Sequence, residues 1–393
     1  MTSLSQTAKK QSSQNDATLD TYISARDEVD NILTFTLAGT NVSIANGLRR
    51  TILSDIPILA FKTFPHNENQ AKFITNTSRF NNEILKQRLG CIPIHIPDLK
   101  MPYNELLVEI HKKNDTNEMM YLTTKDFKVK NTTSGKYLDD STVRKIFPAD
   151  SISGDYILFA RLRPKISNEV PGEEIKIDAR MSPHTSGEDG MYNTVSCCTY
   201  FNTPNKVAQK DGWQQKLGAM TEEEKDPETL TLKEMDYYNH DAKRLFIKDS
   251  FDFKIETIGV ISNYDLCLRG CQILIEKLLN IKDMAFDKTL TVTKAASTIE
   301  NCFEILLDGY GYTIGKVIEY ILHRDLYAGS KGGTGSQVTY VGFRKSHPHD
   351  SSSFIRIAYK NKATSEDVVK SDVVNVCDTA IKIYSTIANE FEK

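Results

Sequence analysis

The chain contains 393 residues, which is enough for two or three domains that each bury a core of their own. Its 49 Lys and Arg residues are balanced by 52 Asp and Glu residues, giving a formal net charge of -3. This balance excludes a basic field over the whole chain, so we expect no direct sequence-specific binding to DNA.

The first predicted elements are a polar tail, a strand and an amphipathic helix. Residues 1–24 lack an apolar run and predict a flexible tail that is neither a signal peptide nor an anchor. Alternation over residues 31–38 predicts a half-buried strand. Residues 41–56 then predict a helix that Asn41 caps and that ends before Pro57. The apolar stripe of this helix consists of Val42, Ile44, Ala45, Leu48, Ile52 and Leu53.

Two basic residues, Arg49 and Arg50, lie at the edge of that stripe. The simpler interpretation is a core helix whose arginines are solvated. The alternative is a helix whose arginine edge meets a partner, because the stripe beside it is too apolar for a solvated surface.

The middle of the chain predicts a change of architecture. Residues 82–90 predict a short helix, capped by Asn81 or Asn82, with basic side chains beside apolar ones. Between residues 101 and 205, short strand-forming segments are separated by Gly, Asn, Asp and Pro, which predicts a strand-rich module. Residues 205–249 are charged and predict a surface connection with a short helix.

The last third of the chain repeats the outer elements of the first part. Residues 251–260 predict a strand and residues 264–279 a broadly apolar helix, and residues 287–393 then give strands, a helix, strands and a long helix. In this repeat, Thr313 is predicted to cap a helix with an apolar face formed by Ile314, Val317, Ile318, Ile321 and Leu322. The long helix carries a seam of Val369, Val373, Val376, Ala380, Tyr384, Ile387 and Phe391. Two such halves should pair about a pseudo-twofold axis.

Motifs that carry chemistry are weak in this sequence. We find no D-x-D-x-D cluster for Mg²⁺ and no G-x-S-x-G nucleophile, so we predict no catalytic residues, no metal ligands and no cofactor in this chain. The Gly-rich stretch 329–336 leaves open a nucleotide- or ligand-binding module, although it follows a helix and lacks G-K-[ST]. Residues 347–350, H-P-H-D, indicate a turn, with a metal site as the alternative.

The cysteines and the hydropathy pattern indicate a soluble intracellular protein. The seven cysteines are an odd number without a C-x-x-C pair, which favours free thiols in a reducing compartment. Cys267 and Cys271 lie one helical turn apart and are predicted to pack in the core. No segment approaches the roughly 18 apolar residues that a membrane span requires.

Two strings resemble a known family. N-x-L-R-R-x-I-L-S-D-I-P at residues 46–57 and N-T-S-x-x-x-x-E-x-L-x-x-R-L-G-x-I-P at residues 76–93 resemble the third-largest subunit of eukaryotic RNA polymerase II and its archaeal counterpart, relatives of the bacterial alpha subunit. Residues 251–259 are similar to the family's returning strand and residues 171–180 to its insert domain. The last hundred residues resemble the small partner of that subunit, which is the eleventh subunit in eukaryotes and has an archaeal counterpart of its own, so the two genes look fused.

The resemblance implies an α+β fold with two alpha-like dimerisation domains in one chain. The first domain would comprise residues 25–61 and 205–286, the strand-rich insert residues 62–204, and the second domain residues 287–393. Lys316 stands where the small subunits usually carry Asn, Gly311-Tyr312 where they carry Asp-His, and the insert lacks the cysteine cluster of some relatives.

The resemblance also implies a function. In the family this pair is the non-catalytic platform on which the largest and second-largest polymerase subunits assemble, with a small zinc subunit of the tenth or twelfth type as a further partner, while Mg²⁺ belongs to the large catalytic subunit. The implied subunit-interface residues are Asn46, Leu48, Arg49, Arg50, Arg88, Leu89 and Gly90. All of these except Asn46, which is implied only as an interface residue, would either face the second-largest subunit or orient the dimer. The intra-chain dimerisation residues are Val42, Ala45, Ile52, Ile314, Val317, Ile318, Ile321, Val373, Ala380 and Tyr384. A fused pair resembles the arrangement in large nucleocytoplasmic DNA viruses, which implies a virion and host-cell location.

Overall fold

The computed structural model describes residues 21–167, 169–221, 225–328 and 336–392. In these residues the strands are β1 (Tyr22–Val29), β2 (Ile32–Ala38), β3 (Ile58–Ala60), β4 (Ala71–Asn76), β5 (Leu106–Lys113), β6 (Met120–Thr123), β7 (Phe127–Asn131), β8 (Leu158–Leu162), β9 (Glu174–Arg180), β10 (Ser182–His184), β11 (Val195–Pro204), β12 (Phe246–Thr257), β13 (Val292–Lys294), β14 (Cys302–Asp308), β15 (Val338–Arg344) and β16 (Ser352–Tyr359). The helices are α1 (Val42–Ser54), α2 (Asn82–Gly90), α3 (Asp140–Ile146), α4 (Lys206–Gly218), α5 (Pro227–Asn239), α6 (Asn263–Phe286), α7 (Tyr312–Leu322) and α8 (Glu366–Phe391).

The first unit is an antiparallel sheet that carries two helices. Its strand order is β1-β2-β12-β11, and α1 and α6 contact it. Leu33, Phe35 and Leu37 of β2 are buried while Thr34 between them is exposed, because alternate side chains of a strand point to opposite faces. The sheet therefore buries one face beneath its helices.

The second unit repeats this topology without an insertion. Its strand order is β13-β14-β16-β15, so in both units the order is first, second, fourth and third strand. In both units a helix follows the second strand and another follows the fourth. A glycine at positive φ turns the chain after each second strand, Gly39 at 72° and Gly309 at 77°. The predicted α+β architecture with two paired units is thus present.

The strand-rich insert lies between α1 and β11 and has its own core. It contains a sheet of order β4-β9-β5-β7 and the separate pair β6–β8. The predicted insert boundary at residue 204 is corrected, because β11 pairs with β12 in the first sheet over residues 195–204. Strands β3 and β10 pair with each other where the chain passes into and out of the insert.

Two further expectations are corrected. The segment 205–249 forms two helices, α4 and α5, rather than one, and Trp213 is buried with its ring 5.5 Å from that of Tyr237. Strand β1 begins at Tyr22, inside the predicted tail 1–24, whose first 20 residues lie outside the described part. Among the helices of the described ranges, none has both the length and the apolar character needed to cross a membrane.

The centre of the molecule is a four-helix contact between the two units. Helix α6 packs along α8 and helix α1 packs on α7. One continuous apolar core contains residues from both sheets and from all four helices. Because neither unit could leave this much apolar surface in water, each one completes the core of the other.

Candidate functional site

Helix α1 is held on three sides. Asn41 caps it, with its side-chain oxygen accepting a hydrogen bond of 2.9 Å from the backbone N–H of Ser43. The helix contacts α6, α7 and β11. Its buried residues are Ile44, Ala45, Gly47, Leu48, Thr51 and Ile52. The edge that carries Asn46, Arg49 and Arg50 keeps access to solvent.

Helices α1 and α7 meet at equivalent positions. Gly47 lies eight residues after Gly39, and Val317 lies eight residues after Gly309. A Cβ atom added to Gly47 would lie 3.4 Å from Cγ2 of Val317. A contact between equivalent residues of two repeated units is the property of a twofold interface, so the pseudo-twofold axis passes near this pair.

Tyr384 of α8 packs at the place where α1 and α7 meet. Its hydroxyl donates a hydrogen bond of 3.2 Å to the backbone carbonyl oxygen of Ile44. An added Cβ on Gly47 would lie 2.5 Å from the same hydroxyl oxygen, so only glycine leaves room for it. Burial raises the pKa of Tyr384 well above its ordinary value, so the phenol stays protonated and able to donate.

A second glycine lets α6 approach α1. A Cβ atom added to Gly270 would lie 2.9 Å from Cγ1 of Ile52 and 3.2 Å from Cδ1 of Leu48. The hydrophobic pattern of the sequence did not predict a role for Gly270 or Gly47. An isolated glycine inside a strongly apolar helix is the signal that points to such close packing.

Polar and aromatic contacts also join these helices to each other and to the first sheet. Nζ of Lys277 lies 2.5 Å from a carboxylate oxygen of Asp55, and Nζ of Lys282 lies 2.6 Å from one of Asp378. The first pair joins α6 to the end of α1 and the second joins α6 to α8. At the far end of α8, Phe391 packs edge-on against a ring of the first sheet, Phe35, at 5.2 Å between centroids.

The arginine pair of α1 is anchored by hydrogen bonds inside the chain. Nε of Arg49 donates to Oδ1 of Asn46 at 3.0 Å, and Nε of Arg50 donates to Oγ1 of Thr313 at 3.0 Å. The prediction that Thr313 caps α7 is wrong, because Gly311 is the N-cap residue and no side chain caps the helix. The hydroxyl oxygen of Thr313 instead accepts the hydrogen bond from Arg50 of the first unit.

The equivalent edge of α7 carries a different charge pattern. Lys316 and Glu319 occupy the positions that correspond to Asn46 and Arg49, and their charged groups lie 2.5 Å apart. The helix α1 edge therefore presents two positive charges, whereas the α7 edge presents a neutralised pair. This difference distinguishes two surfaces that the backbone makes nearly equivalent.

Several residues predicted to face the second-largest subunit or to orient the dimer are enclosed within the chain, so the first of these two roles is corrected for them. Leu48 and Leu89 are both 0% exposed. Gly90 is buried, and a Cβ atom there would lie 2.5 Å from Sδ of Met191. Arg88 is partly buried and its guanidinium donates to two backbone carbonyl oxygens of β8, at 2.5 and 2.7 Å. Its first role is thus to hold α2 against β8.

The predicted intra-chain dimerisation residues lie in one core, with one exception. Val42 is 46% exposed, so its assignment to the buried stripe is corrected. It occupies the first turn of α1, in which Ile44 and Ala45 supply the buried side instead. The residues found in the shared core are Ala45, Ile52, Ile314, Val317, Ile318, Ile321, Val373, Ala380 and Tyr384.

Within the described ranges we find no site at which side chains would bind a metal ion. No three His, Cys, Asp or Glu side chains gather there in a way that would hold a metal ion. Burial raises the pKa of Cys267 and of Cys271, and both lie in the shared core. Of the Gly-rich stretch 329–336, only Ser336 is described, and its hydroxyl is 3.3 Å from the carbonyl oxygen of Leu326.

Comparison with known families shows which family has this architecture. The family model described as the RNA polymerase Rpb3/Rpb11 dimerisation domain matches residues 34–278, which is more than half of the chain. The chain belongs to this family. The Rpb3/Rpb11 match runs from β2 into α6 and so includes α1 with its arginine edge.

Individual proteins of this kind are similar over about two thirds of the chain. RNA polymerase subunit Rpo3 of Methanosphaera stadtmanae is 25% identical over 294 residues, which cover 66% of this chain and 96% of that protein. RNA polymerase II subunit RPB3 of Schizosaccharomyces pombe is 22% identical over 274 residues, which cover 66% and 85%. A conjugation stage-specific protein of Tetrahymena thermophila is 24% identical over 289 residues, which cover 62% and 88%. The first two of these relatives are subunit 3 proteins of RNA polymerases.

Proposed function

We propose that this chain is a non-catalytic assembly subunit of a multisubunit DNA-directed RNA polymerase. The main observation behind the proposal concerns helix α1. This helix packs against α7 and α8 of the same chain and still leaves Arg49 and Arg50 at a solvent-accessible edge. Membership of the Rpb3/Rpb11 family and the named relatives support it. The chain would supply no catalytic residue of its own.

The proposal includes a fusion of a third-largest-type and an eleventh-type subunit. The identical strand order of the two units and the contact of Gly47 with Val317 support it. Fusion keeps the second unit at high effective concentration beside the first, so pairing no longer depends on the concentration of a separate subunit. We extend the proposal to the polymerase of a large nucleocytoplasmic DNA virus, which would place the chain in the virion and the infected cell.

The proposed partners are the largest and second-largest polymerase subunits, together with a small zinc subunit. The arginine edge of α1 and the neutralised edge of α7 offer each large subunit a different surface, and this supports a fixed orientation on the platform. Any Mg²⁺ that the reaction requires would be held by the large catalytic subunit. We expect no direct sequence-specific contact of this chain with DNA.

Affinity purification of the tagged full chain from its source, followed by native mass spectrometry, tests the proposal. We expect a stoichiometric complex with two very large subunits. The rival function, nucleotide binding by residues 329–336, requires that the purified chain bind nucleotide by itself. Binding of nucleotide that is abolished by Lys331→Ala and Gly333→Ala, without any large partner, would overturn the proposal.

A further inference from the structure

The insert contains a groove in which arginines are concentrated. It lies between α2 and β8 and has a volume of about 420 Å³. Four of the 14 arginines of the chain line it, namely Arg79, Arg88, Arg161 and Arg163. The groove is therefore a strongly positive region on a chain whose net charge is -3.

Most of this charge is not neutralised within the described ranges. Arg79 makes no hydrogen bond or ion pair there, and Arg161 meets no carboxylate but lies 5.6 Å from the ring centroid of Tyr121. Arg88 is bound to backbone carbonyls and lies 5.7 Å from the ring of Phe80. Of the four arginines, Arg163 alone has a carboxylate partner among the described residues, namely Glu173 at 2.5 Å. The groove therefore leaves the guanidinium groups of Arg79 and Arg161 available to an anion, while Arg88 adds its positive charge.

The walls of the groove are apolar and partly exposed. Phe80 is 36% exposed and Met119 is 47% exposed, and Leu158 and Ala160 also line the groove. A second cavity of about 310 Å³ adjoins the first, because both are lined by Arg88 and Leu158. Ile92 and Ile157 give this second cavity an apolar lining. The two cavities together suit an extended segment that alternates acidic and apolar side chains.

From these contacts we infer that the groove binds an extended acidic peptide segment of a partner protein. Guanidinium groups match carboxylates through paired N–H donors, and the aromatic and carbonyl contacts hold Arg88 and Arg161 in place before binding. Nucleic acid fits less well, because the net charge of the chain is negative. This inference goes beyond the proposed assembly role and does not depend on it.

Fluorescence anisotropy with the full chain tests this inference. The probe is a fluorescein-labelled peptide that alternates glutamate, leucine and proline, and the control probe has glutamine in place of glutamate. The test variant is Arg79→Gln with Arg161→Gln. The control variant is Lys72→Gln with Lys128→Gln, which removes the same charge from exposed positions on β4 and β7. Melting temperatures establish that both variants fold.

The expected result is binding of the glutamate peptide that weakens as salt is added. Affinity should fall about tenfold or more in the test variant and for the glutamine peptide, and stay unchanged in the lysine control. Absence of binding, or an equal loss in the lysine control, overturns the inference. Tighter binding of a single-stranded oligonucleotide that displaces the peptide would also overturn it, and would assign the groove to nucleic acid.

Discussion

The hydroxyl of Tyr384 donates a hydrogen bond to the backbone carbonyl oxygen of Ile44 across 340 residues of sequence. This buried bond joins α8 of the second unit to α1 of the first. It passes over Gly47, where the absence of a side chain makes the approach possible. One phenol and one glycine therefore add a specific polar contact to the pairing of the two units, within an apolar core that extends well beyond them.

Gly47→Ala should destabilise the protein. The added methyl group would meet the Tyr384 hydroxyl, and overpacking of this kind costs about 1–3 kcal/mol, against a gain of roughly 1 kcal/mol from helix propensity. Denaturant unfolding measures the net loss. Adding Tyr384→Phe removes the clashing oxygen, so the double variant should lose less than the sum of the two single changes. Gly218→Ala, where a Cβ meets open space, is the control and should be neutral or stabilising.

Phe391→Ala should cost about 3–5 kcal/mol, because it removes a buried ring that joins α8 to the first sheet. The matched control is Phe286→Ala at the corresponding end of α6. That ring is 79% exposed, so we expect a change within about 0.5 kcal/mol. Urea unfolding of both variants gives the comparison, and equal losses would show that Phe391 contributes no more than a surface ring.

Arg49→Ala with Arg50→Ala should leave the fold intact and weaken assembly with the large subunits by about tenfold or more. Each arginine makes one intramolecular hydrogen bond that is open to solvent on one side, so the expected loss of folding stability is about 1 kcal/mol or less per residue. Co-purification yield and a binding titration measure the assembly defect. Thr313→Val separates the two roles, because it removes only the internal acceptor of Arg50. If Thr313→Val impairs assembly as strongly as the arginine changes, the arginines act inside the chain.

Stability should fall as pH rises above about 8.5, where cysteine thiols of an unfolded chain ionise. Burial raises the pKa of Cys198 and of Cys377 to about 12, so the folded chain keeps protons that the unfolded chain releases. The stabilisation is complete below the unfolded pKa and is lost as pH rises toward the folded pKa, by about 1.4 kcal/mol per pH unit for each thiol. Replacing either residue by Ala should make the slope shallower by that amount. Cys91→Ala, at an exposed thiol, is the control variant.

Local patterns in the sequence determined most of the secondary structure and which faces are buried. The alternation over residues 251–256 gave a strand whose Phe251, Phe253 and Ile255 are buried, and the seam of the last helix is buried throughout α8. The caps at Asn41 and Asn81 also follow from local chemistry, since a short side chain accepts a hydrogen bond from a nearby N–H. These features depend on residues that are close to each other along the chain, within one helix or one strand.

Only the tertiary structure decided which element covers each face. Periodicity shows that a side of a helix is buried but not by what, so the sequence could not tell that Leu48 and Leu89 are enclosed within the chain or that Thr313 receives Arg50. The same limit applies to β11, whose partner β12 lies beyond two intervening helices. The arginine groove is the clearest case. Its four guanidinium groups come from two segments about 80 residues apart, and their charges act together only because α2 and β8 pack against each other in the folded insert.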